Sequence, residues 1–291
     1  MEMKHENISA NFAMEAEQVL AASPVDFWHG HYVMFLSMLF FHGVNSVVCR
    51  MGKPKSVKED SWKWTNLVVS WVHALIIGIW DLSCFILYPE LTDDLLYHIN
   101  YFTYCMVAVS TGYFMYDFLD MLMNNKLLKL WEVTLHHFAV GGIFYFNIYK
   151  QAYIAFNCVA LLAEVNSFFL HSRKLLQMLQ YKFQDSFYKI VCVMNLLSFF
   201  VFRGISLVSI TLSLMFWRDR VTKVYYYSLF SSMLFMNIMN PILFWRLLKN
   251  DFLRPSKSKS APELPYGQKE TVVMNGNNNV EHINDKHLKS N

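Results

Sequence analysis

The 291-residue sequence predicts an all-α, polytopic membrane protein, a helical bundle of six to seven transmembrane helices. Three observations lead there. Hydrophobic residues make up 55% of the chain and charged residues only 16%, against the roughly 25% charge of a soluble domain. Seven apolar runs follow one another, at about 31–49, 66–88, 100–122, 132–148, 152–170, 188–215 and 225–247. Most of them approach the ~20 residues that cross a ~30 Å hydrocarbon core. The few ionisable residues inside these runs gather toward one side, and such groups are expensive in a bilayer, which makes function the default reading.

Taken in order, residues 1–26 are polar and form an exoplasmic N-terminal segment. They lack the basic start and apolar core of a cleaved signal peptide. Asn7-Ile8-Ser9 is a glycosylation sequon, meaningful only on the luminal or outer side. The transmembrane region occupies 27–252. Its fourth and fifth runs are short and are separated only by Tyr149, Lys150 and Gln151, so they form two short spans or a re-entrant hairpin. Residues 253–291 carry SKSKS, GQKE and NGNNN with little apolar content, the composition of a disordered cytosolic tail. The five cysteines are odd in number, and Cys84, Cys105, Cys158 and Cys192 fall inside apolar runs, so no disulfide framework is implied. Cys49, beside Arg50, is a small apolar filler or a palmitoylation site.

The net charge of +3 needs no nucleic-acid partner; the basic residues set topology instead. Arg50, Lys53, Lys55, Lys58, Lys63, Lys126, Lys129, Arg173, Lys174, Lys182, Arg246 and Lys249 fall on one side, which the positive-inside rule assigns to the cytosol. The other side holds Lys150, Arg218, Arg220, Lys223 and the acidic turn Glu90, Asp93, Asp94. With seven spans the N-terminus lies outside.

The candidate site centres on Ser110 to His137, where Asp117 and Asp120 end one run and Glu132, His136 and His137 begin the next. At 1.5 Å rise per residue the histidine pair lies roughly 6–8 Å inside the cytosolic boundary. His42, His73, Asp117, Glu164, Asn166, Asn237 and Asn240 fall at a similar level, with Arg203 deeper, whereas the outer half offers little beyond Asp81. This pattern describes a polar pocket open to the inner leaflet. Duller roles stand beside it. Asp120 is close enough to water to be a solvated helix end, and His42 and His73 suit packing. Asn237 and Asn240 suit helix stitching. A buried guanidinium needs an anionic partner, and Glu164 or Asp117 is the candidate for Arg203.

Spacing screens the chemistry. The HxxxH and HxxHH boxes of di-iron membrane enzymes, HExxH, GxSxG and a Gly-rich phosphate loop are all missing, and no metal site is expected. What remains is a histidine general base, polarised by a carboxylate, acting on an acyl donor from the inner leaflet.

Gly112-Tyr113-Phe114 with Asp117 and Asp120, then Trp131-Glu132 with His136-His137, then Leu161-Leu162 with Glu164, Asn166 and Ser167, then Phe200-Val201-Phe202-Arg203, together resemble the TLC domain. Trp62-Lys63-Trp64-Thr65-Asn66-Leu67-Val68-Val69-Ser70 followed by His73 is similar to the branch of TLC domain-containing proteins 1 and 2. The resemblance covers roughly residues 60–250. It implies six or seven spans, a place in the plasma membrane with the endoplasmic reticulum as the alternative, and a regulator of phospholipid acyl composition and fluidity that limits highly unsaturated chains. Ceramide synthase relatives in the same family use paired histidines and nearby aspartates for acyl transfer from acyl-CoA; here Asp117, His136, His137 and Glu164 hold comparable positions. The later D-x-x-D of the synthases is missing, with Glu164-x-Asn166 standing roughly there.

Three functions are carried forward. The first is regulation of membrane lipid composition by binding phospholipid or acyl chains through His73, Asp120, Glu164, Asn166, Arg203 and Asn240. The second is an acyltransferase in which His136 or His137 is the base, oriented by Asp117 or Glu164, with acyl-CoA as co-substrate and no resident cofactor. The third is a structural or chaperone-like membrane protein whose polar layer only holds helices together.

Overall fold

The computed structural model describes residues 25–253 apart from 94 and 183. The expected sequon at Asn7 and the tail beyond Leu253 lie outside the described residues. Nine α-helices are formed among the described residues: α1 Phe27–Met51, α2 Ser61–Leu87, α3 Tyr101–Met123, α4 Trp131–Lys150, α5 Ile154–Leu161, α6 Ala163–Met178, α7 Ser186–Ser198, α8 Ile205–Phe216 and α9 Lys223–Leu248. There is no strand among the described residues. Three rods are composite, the last being α9 with the π-helical turn Lys249–Leu253. Helices α5 and α6 run on through Leu162, and α7 joins α8 through a π-helical turn, Phe199–Gly204. Each of the seven apolar runs therefore becomes one helical rod.

Among the described residues five rods are long and apolar enough to cross a membrane: α1, α2, Ile154–Met178, Ser186–Phe216 and Lys223–Leu253. The chain is a multi-pass membrane protein. α3 falls short of that standard for a reason visible in its packing. Fifteen of its 23 residues are buried, including Asp117 and Asp120, so its neighbours rather than lipid solvate its polar groups. α4 holds 20 residues, about 30 Å of helix, and also falls short of that standard. The chain leaves it through Gln151 and Tyr153, both left-handed at φ 47° and 63°.

Helix starts follow local chemistry. Asp26, Asp60 and Asn100 accept backbone hydrogen bonds from Trp28, Lys63 and Thr103 at 2.7, 2.6 and 2.9 Å, the usual N-cap arrangement. α3 is the hub, packed against α1 on one side and α4 on the other, while α2 lies along α6. Small residues bring α1 and α3 together. A Cβ at Gly112 would overlap the Met34 carbonyl oxygen and sit 2.7 Å from the Ser37 Cβ. The Ser37 hydroxyl donates to the Val109 carbonyl at 2.6 Å across the same contact. Such close approach is how helices associate where lipid removes the hydrophobic drive. Leu36, Ile86, Phe200, Met215 and Ile238 are exposed on the outside, as lipid-facing positions should be.

Candidate functional site

The polar residues picked out by the sequence do not form one pocket. Some line one of two spaces separated by a wall of rings, and the others line neither.

The first is a long apolar cavity running between α4, α5–α6, α8 and α9. Its empty volume is about 840 Å³ counted out to its open mouth. Periodicity explains why these side chains share it. On α9, Asn240, Met236, Met233, Leu229 and Tyr225 recur at three- to four-residue steps, one face of a helix. Tyr225 to Asn240 spans about 22 Å of that helix. On α4 the same face carries His136, Val140, Ile143 and Phe144, and on the α7–α8 rod Arg203, Ser206, Leu207 and Ile210. One end is polar, with His136, Glu164, Arg203 and Asn240. The other end is lined by Asn157 and Tyr225, held together by Asn147, whose Nδ2 donates to Asn157 Oδ1 at 2.8 Å and to Tyr225 Oη at 3.2 Å. This second polar end corrects the expectation that the outer half offered little beyond Asp81.

Arg203 corrects a second expectation. No carboxylate holds its guanidinium among the ion pairs of the described residues. Instead Nε donates to Asn166 Oδ1 at 3.0 Å, Nη1 to Asn240 Oδ1 at 3.1 Å and Nη2 to Ser167 Oγ at 2.8 Å. The π-helical turn at Phe199–Gly204 ends beside this residue. An extra residue in the turn rotates the helix that follows, and such bulges recur at functional sites. Glu164 pairs with His73 instead, whose Nδ1 lies 3.7 Å from Oε2.

The second space is a cleft of about 1180 Å³, counted to its mouth, at the ends of α2, α3, α4 and α6. Asp117 and His137 stand at its floor. His137 Nδ1 lies 2.7 Å from Asp117 Oδ2, close but without the alignment of a hydrogen bond. Asn66 Nδ2 donates to the other oxygen of Asp117 at 2.6 Å. Lys63, Lys126, Lys129 and Lys174 line the same cleft.

The wall between the two spaces is built of His73, Tyr113, Phe114 and the histidine pair. The His73 ring stacks on Tyr113 at 3.8 Å and its Nε2 meets Ser110 Oγ at 3.1 Å. Phe114 lies 5.2 Å, ring to ring, from His137 and reaches the cavity on its other side. His73 is thus buried between the two spaces and lines neither.

Two further candidates are structural in setting. Asp120 is not a solvated helix end: it is buried, and Trp62 Nε1 donates to its Oδ2 at 2.8 Å. Asn166 is fully buried, its Nδ2 donating to Asn195 and Ser198 while its oxygen holds Arg203. Neither lines the cavity or the cleft. His42 is exposed, and Asn237 joins α9 to Thr211 of α8 at 3.1 Å. There is no metal-binding cluster of His, Cys, Asp or Glu among the described residues.

Residues 63–249 match the family profile of the TLC domain, and this match covers the cavity, the wall and all of the cleft except Asp60 and Trp62. The chain belongs to the TLC domain family. It is 37% identical to TLC domain-containing protein 2 of Danio rerio over 223 residues, covering 77% of this chain and 90% of that protein. TLC domain-containing protein 1 of Rattus norvegicus is 30% identical over 218 residues, 74% of this chain and 87% of its own length. TLC domain-containing protein 2 of Homo sapiens is 37% identical over 147 residues, 50% of this chain and 56% of that protein. No solved structure matches the chain.

Within this TLC domain, Asn66, Ser70, Tyr113, His171 and the four lysines line the cleft but were not among the candidate site residues of the sequence. A signal for some of them was present. Asn66, Ser70 and His73 follow one another at helical spacing on α2, and His171 lies two turns beyond Glu164 on α6, so each shares a face with a residue already chosen. The lysines were assigned to topology alone, and nothing in their spacing distinguishes a cleft rim from an ordinary cytosolic loop.

Proposed function

We propose that this TLC domain protein regulates the acyl composition and fluidity of membrane phospholipids by holding a lipid acyl chain in the apolar cavity. The supporting observation is the cavity itself, a mostly apolar passage along four rods that ends at His136, Glu164, Arg203 and Asn240. Apolar walls with a few convergent polar groups are the usual form of a ligand site. The chain lies along Val140, Ile143, Leu207, Ile210 and Leu229, and the polar end meets the carbonyl or headgroup. Arg203, already satisfied by three neutral oxygens, donates its charge without an ion pair to break. In this reading the cavity is reached from the inner leaflet of the plasma membrane, or of the endoplasmic reticulum.

The test is a lipidomic comparison of cells lacking the protein and rescued with wild type, His136→Ala, or Leu229→Trp, which fills the cavity. Rescue by wild type alone, with all three proteins equally abundant, supports the reading. Equal rescue by Leu229→Trp sinks it.

A second reading has its own support in the 2.7 Å approach of His137 to Asp117. Here His137 is a general base that takes the proton of an acceptor hydroxyl or amine. The acceptor attacks the acyl-CoA carbonyl, the new ester or amide forms as the thioester breaks, and the CoA thiolate recovers the proton. Release of CoA thiol by purified protein given acyl-CoA and a lysophospholipid or sphingoid base, lost in His137→Ala, distinguishes this from binding alone.

A further inference from the structure

The lysine-lined cleft shares no lining residue with the apolar cavity, and acyl-chain binding gives it no role. We propose that it is a second lipid site, which takes the phosphate headgroup of an anionic phospholipid.

The charge in the cleft is arranged for an anion. Lys63 of α2, Lys126 and Lys129 of the α3–α4 loop and Lys174 of α6 face two carboxylates, Asp60 and Asp117. Both carboxylates are occupied. Asp60 caps α2 through the Lys63 backbone N–H and lies 3.3 Å from Lys126 Nζ, while Asp117 is held by Asn66 and His137. Four lysines against two engaged carboxylates leave a surplus of positive charge converging from three elements. Lys126 is fixed in place, since its Nζ also lies 5.0 Å over the Trp62 ring.

The start of α4 adds to this. Leu130 and Val133 line the cleft, and Leu130 provides no side-chain cap for the first turn. Glu132, which would offset the positive end of that helix, instead pairs with Arg246 at 3.1 and 3.2 Å. Uncapped N–H groups beside a cationic cleft favour phosphate oxygens.

A membrane source follows from where these lysines lie. Lys63 and Lys174 sit at the same end of two rods long and apolar enough to span the bilayer, the level of the headgroup phosphates. Basic pockets between transmembrane helices at that level bind anionic headgroups. Below the lysines, Leu67, Met121 and Tyr113 continue the wall inward, which suits the glycerol and upper acyl carbons.

The full-length protein in phosphatidylcholine nanodiscs doped with phosphatidic acid tests this, with co-purified lipid quantified. Wild type should retain phosphatidic acid preferentially, and Lys63→Gln should weaken retention about fivefold, the effect of one lysine near a headgroup. Lys129→Gln with Lys174→Gln should weaken it by roughly 25-fold on the same scale. The matching Lys→Arg pair should hold the lipid, and Leu229→Trp in the apolar cavity should leave retention unchanged, so the two sites succeed or fail separately. Equal retention in the glutamine variants, or no preference in wild type, overturns the proposal. Displacement of the lipid by soluble glycerol 3-phosphate at comparable concentration overturns the membrane source and assigns the cleft to a soluble phosphate compound.

Discussion

His136 and His137 are neighbours in sequence and open onto different spaces. Their ring centroids stand 5.4 Å apart, with His136 in the apolar cavity beside Met236 Sδ at 3.2 Å and His137 in the basic cleft against Asp117. Successive helical residues diverge by about 100°, so a doubled histidine is a compact way to line both sides of one wall.

The two substitutions should therefore behave differently. His137→Ala removes the imidazole from a buried carboxylate, leaving Asp117 with the hydrogen bond donated by Asn66. Leaving a buried polar group undersatisfied costs about 1–3 kcal/mol. His136→Ala loses only a half-buried ring next to a thioether and should unfold close to wild type. Thermal unfolding in detergent separates them, and the loss in His137→Ala should be partly recovered by adding Asp117→Asn. Matching losses in both single variants would contradict the division.

The α1–α3 contact should tolerate no added methyl. Gly112→Ala meets the Met34 backbone and Ser37 and should destabilise by about 1–3 kcal/mol, the cost of overpacking. Gly142→Ala is the internal comparison. A Cβ there finds nothing within 4 Å, so this change should be neutral or stabilise by up to about 1 kcal/mol through helix propensity. The detergent unfolding midpoint should fall below wild type for Gly112→Ala and lie at or above it for Gly142→Ala.

Arg173 of α6 forms a buried two-pronged pair with Asp251 in the π-helical turn after α9, in which Nε donates to Oδ2 at 2.6 Å and Nη2 donates to Oδ1. Breaking such a pair strands a charge, so Asp251→Asn should cost about 3–5 kcal/mol. Replacing both partners, as Arg173→Met with Asp251→Leu, should restore most of it. A double variant as unstable as the single one would show that the pair does more than neutralise itself.

Asp60 gives a pH dependence. The Lys63 backbone N–H that it caps, followed by Lys126 and Lys129, holds its carboxyl below the ordinary value. A depressed folded pKa means stability that is complete above the unfolded value of about 3.9 and lost as pH falls through the lower folded one. Asp60→Asn keeps an acceptor for the cap but gives up the charge. The gap in unfolding midpoint between wild type and Asp60→Asn should be present at neutral pH and close below about pH 3.9; a gap independent of pH would assign Asp60 a purely steric role.

The sequence by itself determined the class and the rods. Each of the seven apolar runs became one helical rod, with ends shifted by only a few residues except for the extension of the fifth to Met178, because length and hydropathy are local properties that the bilayer imposes directly. It also placed His136, Glu164 and Asn240 at one depth, with Arg203 deeper, since depth follows from counting residues along a helix.

What the tertiary structure decided is rotation. Whether a residue at that depth faces the cavity, the cleft, a neighbouring helix or lipid depends on how each helix turns about its own axis. That turn is set by long-range packing, such as Gly112 against α1, by the bulge at Phe199–Gly204 and by the partners met on arrival. For this reason Asp120 came to rest on Trp62, Arg203 found three neutral oxygens in place of a carboxylate, and adjacent histidines were assigned to separate compartments.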